Sequence, residues 1–281
     1  MCYFTINNYN KKVKMKIIDI NNAIKLCHFT VTEGIYDDSI DATYIIHLLG
    51  NVTRTNNILL QLQKIKPTKE IYILLNKGYK YKEDINNSAE DLVDCNLKIF
   101  QHANSKNYNN ILVLEDDFIC LDSNSTKDIN KFCNLHKNNE FIFYLGTIPF
   151  VFYPYDSKIF KGVVNFMTHS VIYSKKSQYS ILNEKIKITD IDTYLGYSII
   201  NKYFYYKPLY GQTFPKTENS KTWKIPITNI YYYNTPIYDM IFDFINFFYC
   251  DIYPEQFFIF VFCLICHIKM FIALVIVRII I

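Results

Sequence analysis

Short apolar runs, each closed by turn residues and separated by stretches with helical spacing, recur along most of the chain. An uninterrupted apolar run reads as a strand buried on both faces, and recurrence every three to four residues reads as an amphipathic helix. Ala42–Leu49, ended by Gly50 and Asn51, predicts the first strand, followed by a helix over Thr55–Ile65. Glu70–Leu75 predicts a second strand closed by Asn76, Lys77 and Gly78, which completes a βαβ opening. Ser88-Ala89-Glu90-Asp91 offers a cap and an acidic first turn to a helix carrying Leu92, Cys95, Ile99 and Phe100 on one face. A third strand, Ile111–Leu114, follows. Further on, the pattern predicts a helix over Asp128–His136, a strand over Glu140–Gly146, an extended segment over Val163–Tyr173, and helices over Lys175–Leu182 and Asp190–Ile200. This alternation defines an α/β domain.

Composition changes the picture at the two ends. Residues 1–40 read as an extension with an ambiguous helix or strand near Met15–Phe29, and the α/β domain occupies 41–225. Residues 226–255 are aromatic-rich and read as membrane-proximal, and 256–281 are almost wholly apolar apart from His267, Lys269 and Arg278. A stretch of that length can cross a hydrocarbon core of about 30 Å as a helix. With no apolar signal segment at the N-terminus, the expectation is a single-pass C-terminal anchor with the catalytic domain in the cytosol. A buried helix or a surface hairpin is the competing reading of the tail. Lys269 argues for one of these, because a charge in lipid costs about 2.5–3.5 kcal/mol.

The net charge of +4 is spread along the chain on lysines interleaved with Asn, Ile and Tyr, which gives no nucleic-acid groove. Eight scattered cysteines suit buried thiols in a reducing compartment. Cys263-Leu264-Ile265-Cys266-His267 matches the spacing of a haem attachment site, but it lies in a hydrophobic run with no haem domain around it.

The candidate chemistry lies where the apolar run Ile111–Leu114 passes into Glu115, Asp116 and Asp117. Open α/β sheets bind ligands at the carboxyl ends of their strands. Three adjacent carboxylates repel one another, a cost relieved by a hard cation with oxygen ligands. Strand alternation places Glu115 and Asp117 on one side and Asp116 on the other. A solvated acidic loop is the plain alternative for the triplet in isolation.

Four segments carry a resemblance to a known family: Tyr44-Ile45-Ile46-His47-Leu48 with Asn51 and Arg54; Leu114-Glu115-Asp116-Asp117; Thr168-His169-Ser170-Val171-Ile172-Tyr173-Ser174; and Asp192-Thr193-Tyr194-Leu195 with Gln212. In order and spacing, about residues 42–223 resemble a glycosyltransferase of the GT-A, Rossmann-like fold. The closest likeness is to family 25, the lipopolysaccharide and procollagen galactosyltransferase group. The run Gln212–Ser220 resembles glycosyltransferases of large DNA viruses. His169 stands where family members carry glycine or alanine.

The resemblance implies an inverting transfer of a hexose from a nucleotide sugar, UDP-linked, to a hydroxyl on a glycan, lipid or protein. It implies Glu115 and Asp117 as ligands of Mn²⁺ or Mg²⁺, with Asp116 touching ribose or sugar. Asn51 and Arg54 would meet the nucleotide or its phosphates, His169 donor or acceptor, and Asp192 would be the base. Each has a structural alternative: a surface ion pair for Arg54, a core residue for His169, a helix N-terminal acid for Asp192, and a cap for Asp190. Two other classes stay open, a non-catalytic membrane-tethered glycan- or partner-binding protein and a metal-dependent phosphohydrolase.

Overall fold

The computed structural model describes residues 15–212. Twelve strands and five α-helices alternate along them. A hairpin of β1 (Lys16–Asp19) and β2 (Ile24–Thr30) comes first. The βαβ opening follows as β3 (Ala42–Leu48), α1 (Val52–Lys64) and β4 (Glu70–Asn76), then α2 (Ser88–Ser105) and β5 (Asn110–Glu115). Next are β6 (Phe118–Cys120), α3 (Thr126–Leu135), β7 (Ile142–Tyr144), β8 (Ile148–Pro154), β9 (Ile159–Phe166) and β10 (Ser170–Ser174). The series closes with α4 (Lys175–Leu182), α5 (Ile191–Tyr197), β11 (Lys202–Tyr205) and β12 (Tyr210–Gln212).

Ten strands form one sheet in the order β1-β2-β4-β3-β5-β10-β7-β11-β9-β8, and β6 and β12 pair as a separate ribbon. Strand β3 runs parallel to β4 and β5, and β11 parallel to β7, while β10 is antiparallel to both β5 and β7. Seven strands, β1, β4, β3, β5, β7, β11 and β8, therefore point the same way. Their carboxyl ends form the rim on which the acidic triplet sits.

The sheet is covered on both faces, and the alternation within β5 shows how. Leu112 and Leu114 enter one apolar cluster with Ile58 and Leu62 of α1 and Ile129 and Phe132 of α3. Ile111 and Val113 enter the other, with Ile99 and Phe100 of α2, Ile181 of α4 and Leu195 of α5. Each fully buried Leu, Ile or Phe contributes about 1.5–3 kcal/mol. The continuous apolar run of β5 thus follows from a strand sandwiched between helical layers.

Several expectations are corrected. The chain is mixed α/β with a large irregular sheet, and β5 has a parallel neighbour on one side only, so the parallel, Rossmann-like sheet does not describe it. The single-pass membrane anchor, the membrane as a partner and the membrane localisation are withdrawn, because no helix among the described residues is long and apolar enough to cross a membrane. The aromatic-rich segment 226–255, the apolar tail 256–281 and the cysteine pair before His267 lie outside the described residues. Residues 16–30, read as part of an extension, supply two strands of the main sheet, and Phe29, Tyr36 and Ile40 join its core. The α2 cap is Asn87 rather than Ser88, its side chain accepting from the amides of Ala89 and Glu90. The segment Val163–Tyr173 breaks into β9 and β10 around Met167, a non-glycine residue with φ of 74°. Among the described residues, Cys27, Cys95, Cys120 and Cys133 form no disulfide.

Gly34 ties the β2–β3 connection to the start of β4, since a Cβ there would lie 2.3 Å from the Thr68 Cα. Neither backbone can move freely, as Lys69 N–H and Gly34 N–H each donate to Asp37 at 2.6 Å. Gly34→Ala is expected to destabilise the fold by about 1–3 kcal/mol, the usual cost of overpacking. Urea denaturation checks it, and a midpoint equal to wild type would refute the close approach.

Candidate functional site

The acids that define the site come from two distant places. Glu115 ends β5 opposite Ile46 of β3, and its amide donates to the His169 carbonyl at 2.9 Å. Asp116 and Asp117 form the turn into β6, each 2% exposed. Asp192 stands in the first turn of α5, which Asp190 caps by accepting from the Thr193 amide at 2.7 Å. The Asp192 Oδ1 is buried with no hydrogen-bond partner.

Helix α1 builds the other wall. Asn51 caps it by accepting from the Arg54 amide at 3.1 Å, so the side chain expected to meet the nucleotide is engaged in starting the helix. One turn on, Asn57 donates to the carbonyls of Asp116 and Phe118, both at 3.0 Å, and Gln61 accepts from the Cys120 amide at 3.2 Å. Positions 54, 57 and 61 share one helix face, which holds the acidic turn by its backbone.

Asp116 is committed within the protein. One oxygen accepts from Arg54 Nη1, and the other from His47 Nδ1 at 2.8 Å and the Leu48 amide at 3.2 Å. Strand alternation is not what turns Asp116 away from Asp117, because β5 ends at Glu115. Asp117 receives Gln212 Nε2 on both oxygens at 3.0 and 3.1 Å, and Arg54 Nη2 lies 3.7 Å away. The ribbon β6–β12 makes this possible by pairing Gln212 with Phe118.

The electrostatics follow from burial. Desolvation pushes the Asp117 carboxyl up to about 6 against the pull of Arg54, and Asp116 adds to the rise. Glu115 is held well above the usual carboxylate range by burial first, then by the charges of Asp117, Asp192 and Asp116, with Arg54 opposing. Asp192 is raised to about 6 by burial, while the Thr168 hydroxyl and the Thr168 and Met167 amides pull it down. Burial, with Asp192 near both and Glu115 near Tyr173, keeps the Tyr144 and Tyr173 phenols neutral. The Tyr144 hydroxyl is buried and unpartnered.

His169 is 1% exposed, hydrogen-bonds through Nε2 to the Tyr210 carbonyl at 3.3 Å, and is lowered to about 4 by burial. It is a neutral interior histidine whose backbone, rather than its ring, meets Glu115. Tyr210 is fully buried, so its ring offers no open face to a sugar. The structure therefore brings together Glu115, Asp116, Asp117 and Arg54, with Asp192 within electrostatic reach of Glu115.

Sequence reasoning missed His47, Asn57, Gln61 and Tyr144. The helical spacing from Arg54 to Gln61 was the available signal for two of them. Among the described residues no group of three or more His, Cys, Asp or Glu side chains is assembled to hold a metal. Glu115 and Asp117 together supply two all-oxygen ligands, a set that suits Mg²⁺ or Mn²⁺ only if substrate oxygens and water complete the shell.

No protein-family profile matches the sequence, and no curated protein matches it either. Among solved structures, the crystal structure of A197 from STIV matches at 13% identity with a TM-score of 0.37, covering 58% of this chain and 80% of that one. Likeness at that level carries no argument about fold or function.

Raised carboxylates make a pH prediction. A group protonated more in the folded than in the unfolded chain stabilises at low pH, and that contribution is lost as pH rises from about 4 through its folded value of about 6. Asp117→Asn is therefore expected to stabilise the metal-free protein at pH 7.5 by on the order of 1–2 kcal/mol, and not at pH 4. Thermal melts at both pH values test this. Equal shifts at the two would show that Asp117 is not raised.

Proposed function

We propose that the chain is a glycosyltransferase that moves a hexose from a nucleotide sugar, UDP-linked, to a hydroxyl on a glycan, lipid or protein. The reading is carried by one observation: Asp192, from the second half of the described chain, lies within electrostatic reach of Glu115 at the carboxyl end of β5, where Asp117 stands beside Arg54. The resemblance to family 25 glycosyltransferases in the segments holding these residues supports it.

In this reading Glu115 and Asp117 would hold Mn²⁺ or Mg²⁺, and the ion would supply charge neutralisation to the diphosphate leaving group. Arg54 directs its remaining N–H groups at the phosphates, since only part of its guanidinium is engaged by Asp116. Asp116 is then the anchor of Arg54 rather than a sugar contact. The acceptor oxygen attacks the anomeric carbon, the bond to the diphosphate oxygen breaks, and the acceptor proton passes to Asp192. A carboxylate raised to about 6 is ionised at neutral pH yet more basic than a free one, as a general base should be.

The test is a panel of sugar nucleotides assayed for nucleoside diphosphate release with and without Mn²⁺, joined to donor titration calorimetry. Asp117→Asn is expected to weaken donor binding at least about tenfold, one hydrogen-bonded charge's worth. Asp192→Asn should abolish transfer while donor affinity stays within about threefold. Asp190→Asn should cost less than about 1 kcal/mol of stability, because Asn caps as well as Asp. Donor affinity that is equal with and without EDTA would refute the metal pair, and an Asp192→Asn variant that still transfers would refute the base.

A further inference from the structure

Buried beneath the site is a hydrogen-bonded ring that joins two strand ends, the acidic turn and helix α1. His47, 1% exposed, donates from Nδ1 to Asp116 at 2.8 Å, and its Nε2 is hydrogen-bonded to the Thr55 hydroxyl at 2.9 Å. The Thr55 hydroxyl also stands 3.0 Å from the Asn51 carbonyl, the alternative acceptor for its one proton, so the ring lies against the first turn of the helix that carries Arg54. Asp116 then grips Arg54 Nη1 with its other oxygen. The circuit His47–Asp116–Arg54–α1–Thr55–His47 closes on itself.

We propose that His47 is a positioning residue that acts through Asp116 to aim Arg54 at the donor diphosphate. The inference rests on the diphosphate role given to Arg54 above, and extends it to a residue with no contact to substrate. A long arginine side chain has several flexible torsions and loses about 2 kcal/mol of rotamer freedom when held. A single carboxylate oxygen does not fix it, because Asp116 can itself rotate. Donors on the second oxygen, from His47 and from the Leu48 amide at 3.2 Å, stop that rotation. The guanidinium is then held with Nη2 at 3.7 Å from Asp117 and with 18% of the side chain open to solvent, at the place where an anion would arrive.

A buried histidine that merely fills its strand would look similar, so the test must separate packing from aim. The two ring nitrogens have different amide mimics. In His47→Asn the amide takes the position of Nδ1 and keeps the Asp116 bond, while in His47→Gln it takes that of Nε2 and keeps the Thr55 bond. The first readout is modification of Arg54 by phenylglyoxal in the full-length protein, followed by peptide mass mapping. Arg54 and Arg278 are the only arginines in the chain, so the assignment is unambiguous. The second readout is the dissociation constant for UDP and for inorganic pyrophosphate.

Expected are modification of Arg54 at least fivefold faster in His47→Gln, with UDP and pyrophosphate binding about tenfold weaker, the worth of one charge-assisted hydrogen bond. His47→Asn should stay within about threefold of wild type on both. Equal behaviour of the two variants, whether both impaired or both unaffected, overturns the proposal. If the wild type binds neither UDP nor pyrophosphate, the diphosphate reading fails by itself, and the modification rates still decide whether His47 controls Arg54.

Discussion

Crowding Glu115, Asp116 and Asp117 at the end of one buried strand, with Asp192 within electrostatic reach of Glu115, is the constraint on which the site depends. Unscreened carboxylates at this density either find donors, take up protons or attract a cation. The first two are visible here. Asp116 has its donors in His47, the Leu48 amide and Arg54. Glu115, Asp117 and Asp192 lack equivalent compensation, which is why burial raises all three. Those are the residues left for a ligand that brings positive charge or removes a proton.

The site also explains features that look like details of the fold. Ribbon β6–β12 is too small to be stable alone, with three residues in each strand. It is held because Leu209 pairs back to the main chain, its amide bonding the Leu145 carbonyl at 2.7 Å, and because Asn57 and Gln61 of α1 bond its first strand. Its return is to carry Gln212 to Asp117. Likewise the left-handed Met167 marks the break that lets β9 stop and β10 begin antiparallel to β5, with Thr168 facing Asp192. Backbone strain of this kind is maintained only where the surroundings impose it.

Much of this was legible in the sequence, for definable reasons. Strands β3, β4 and β5 are buried on both faces, so each leaves an uninterrupted apolar run, and α4 and α5 each begin next to a residue whose side chain caps them. Strands β1 and β2 escaped because Lys25, His28 and Thr30 interrupt an edge hairpin that is only half covered. The three-residue strands β6 and β12 exist through pairing partners some ninety positions apart, as the register of Phe118 with Gln212 shows, and no local pattern encodes such a pairing. At the site, the acid triplet announced itself by composition. The division of labour within it did not, because whether Asp116 serves ligand or protein depends on Arg54 and His47 reaching it across 62 and 69 residues.

The antiparallel strand β10 is the element that makes one site out of these parts. Had the strand beside β5 run parallel, its entry would lie at the opposite edge of the sheet, near Asn110. Running antiparallel, with Ser170 opposite Leu114, it begins at the acidic rim and lets the His169 carbonyl take the Glu115 amide. Helix α4 then carries the chain across the sheet face, and α5 starts beside the entry to β10, with Gly196 so close to the Asn165 carbonyl that a Cβ would sit 2.9 Å from it. That contact fixes α5 against β9, and Asp192 in its first turn inherits the position. The reversal of a single strand thus brings a carboxylate from the second half of the chain to those of the first. The same reversal prevents the sheet from being the parallel one that its apolar runs suggest.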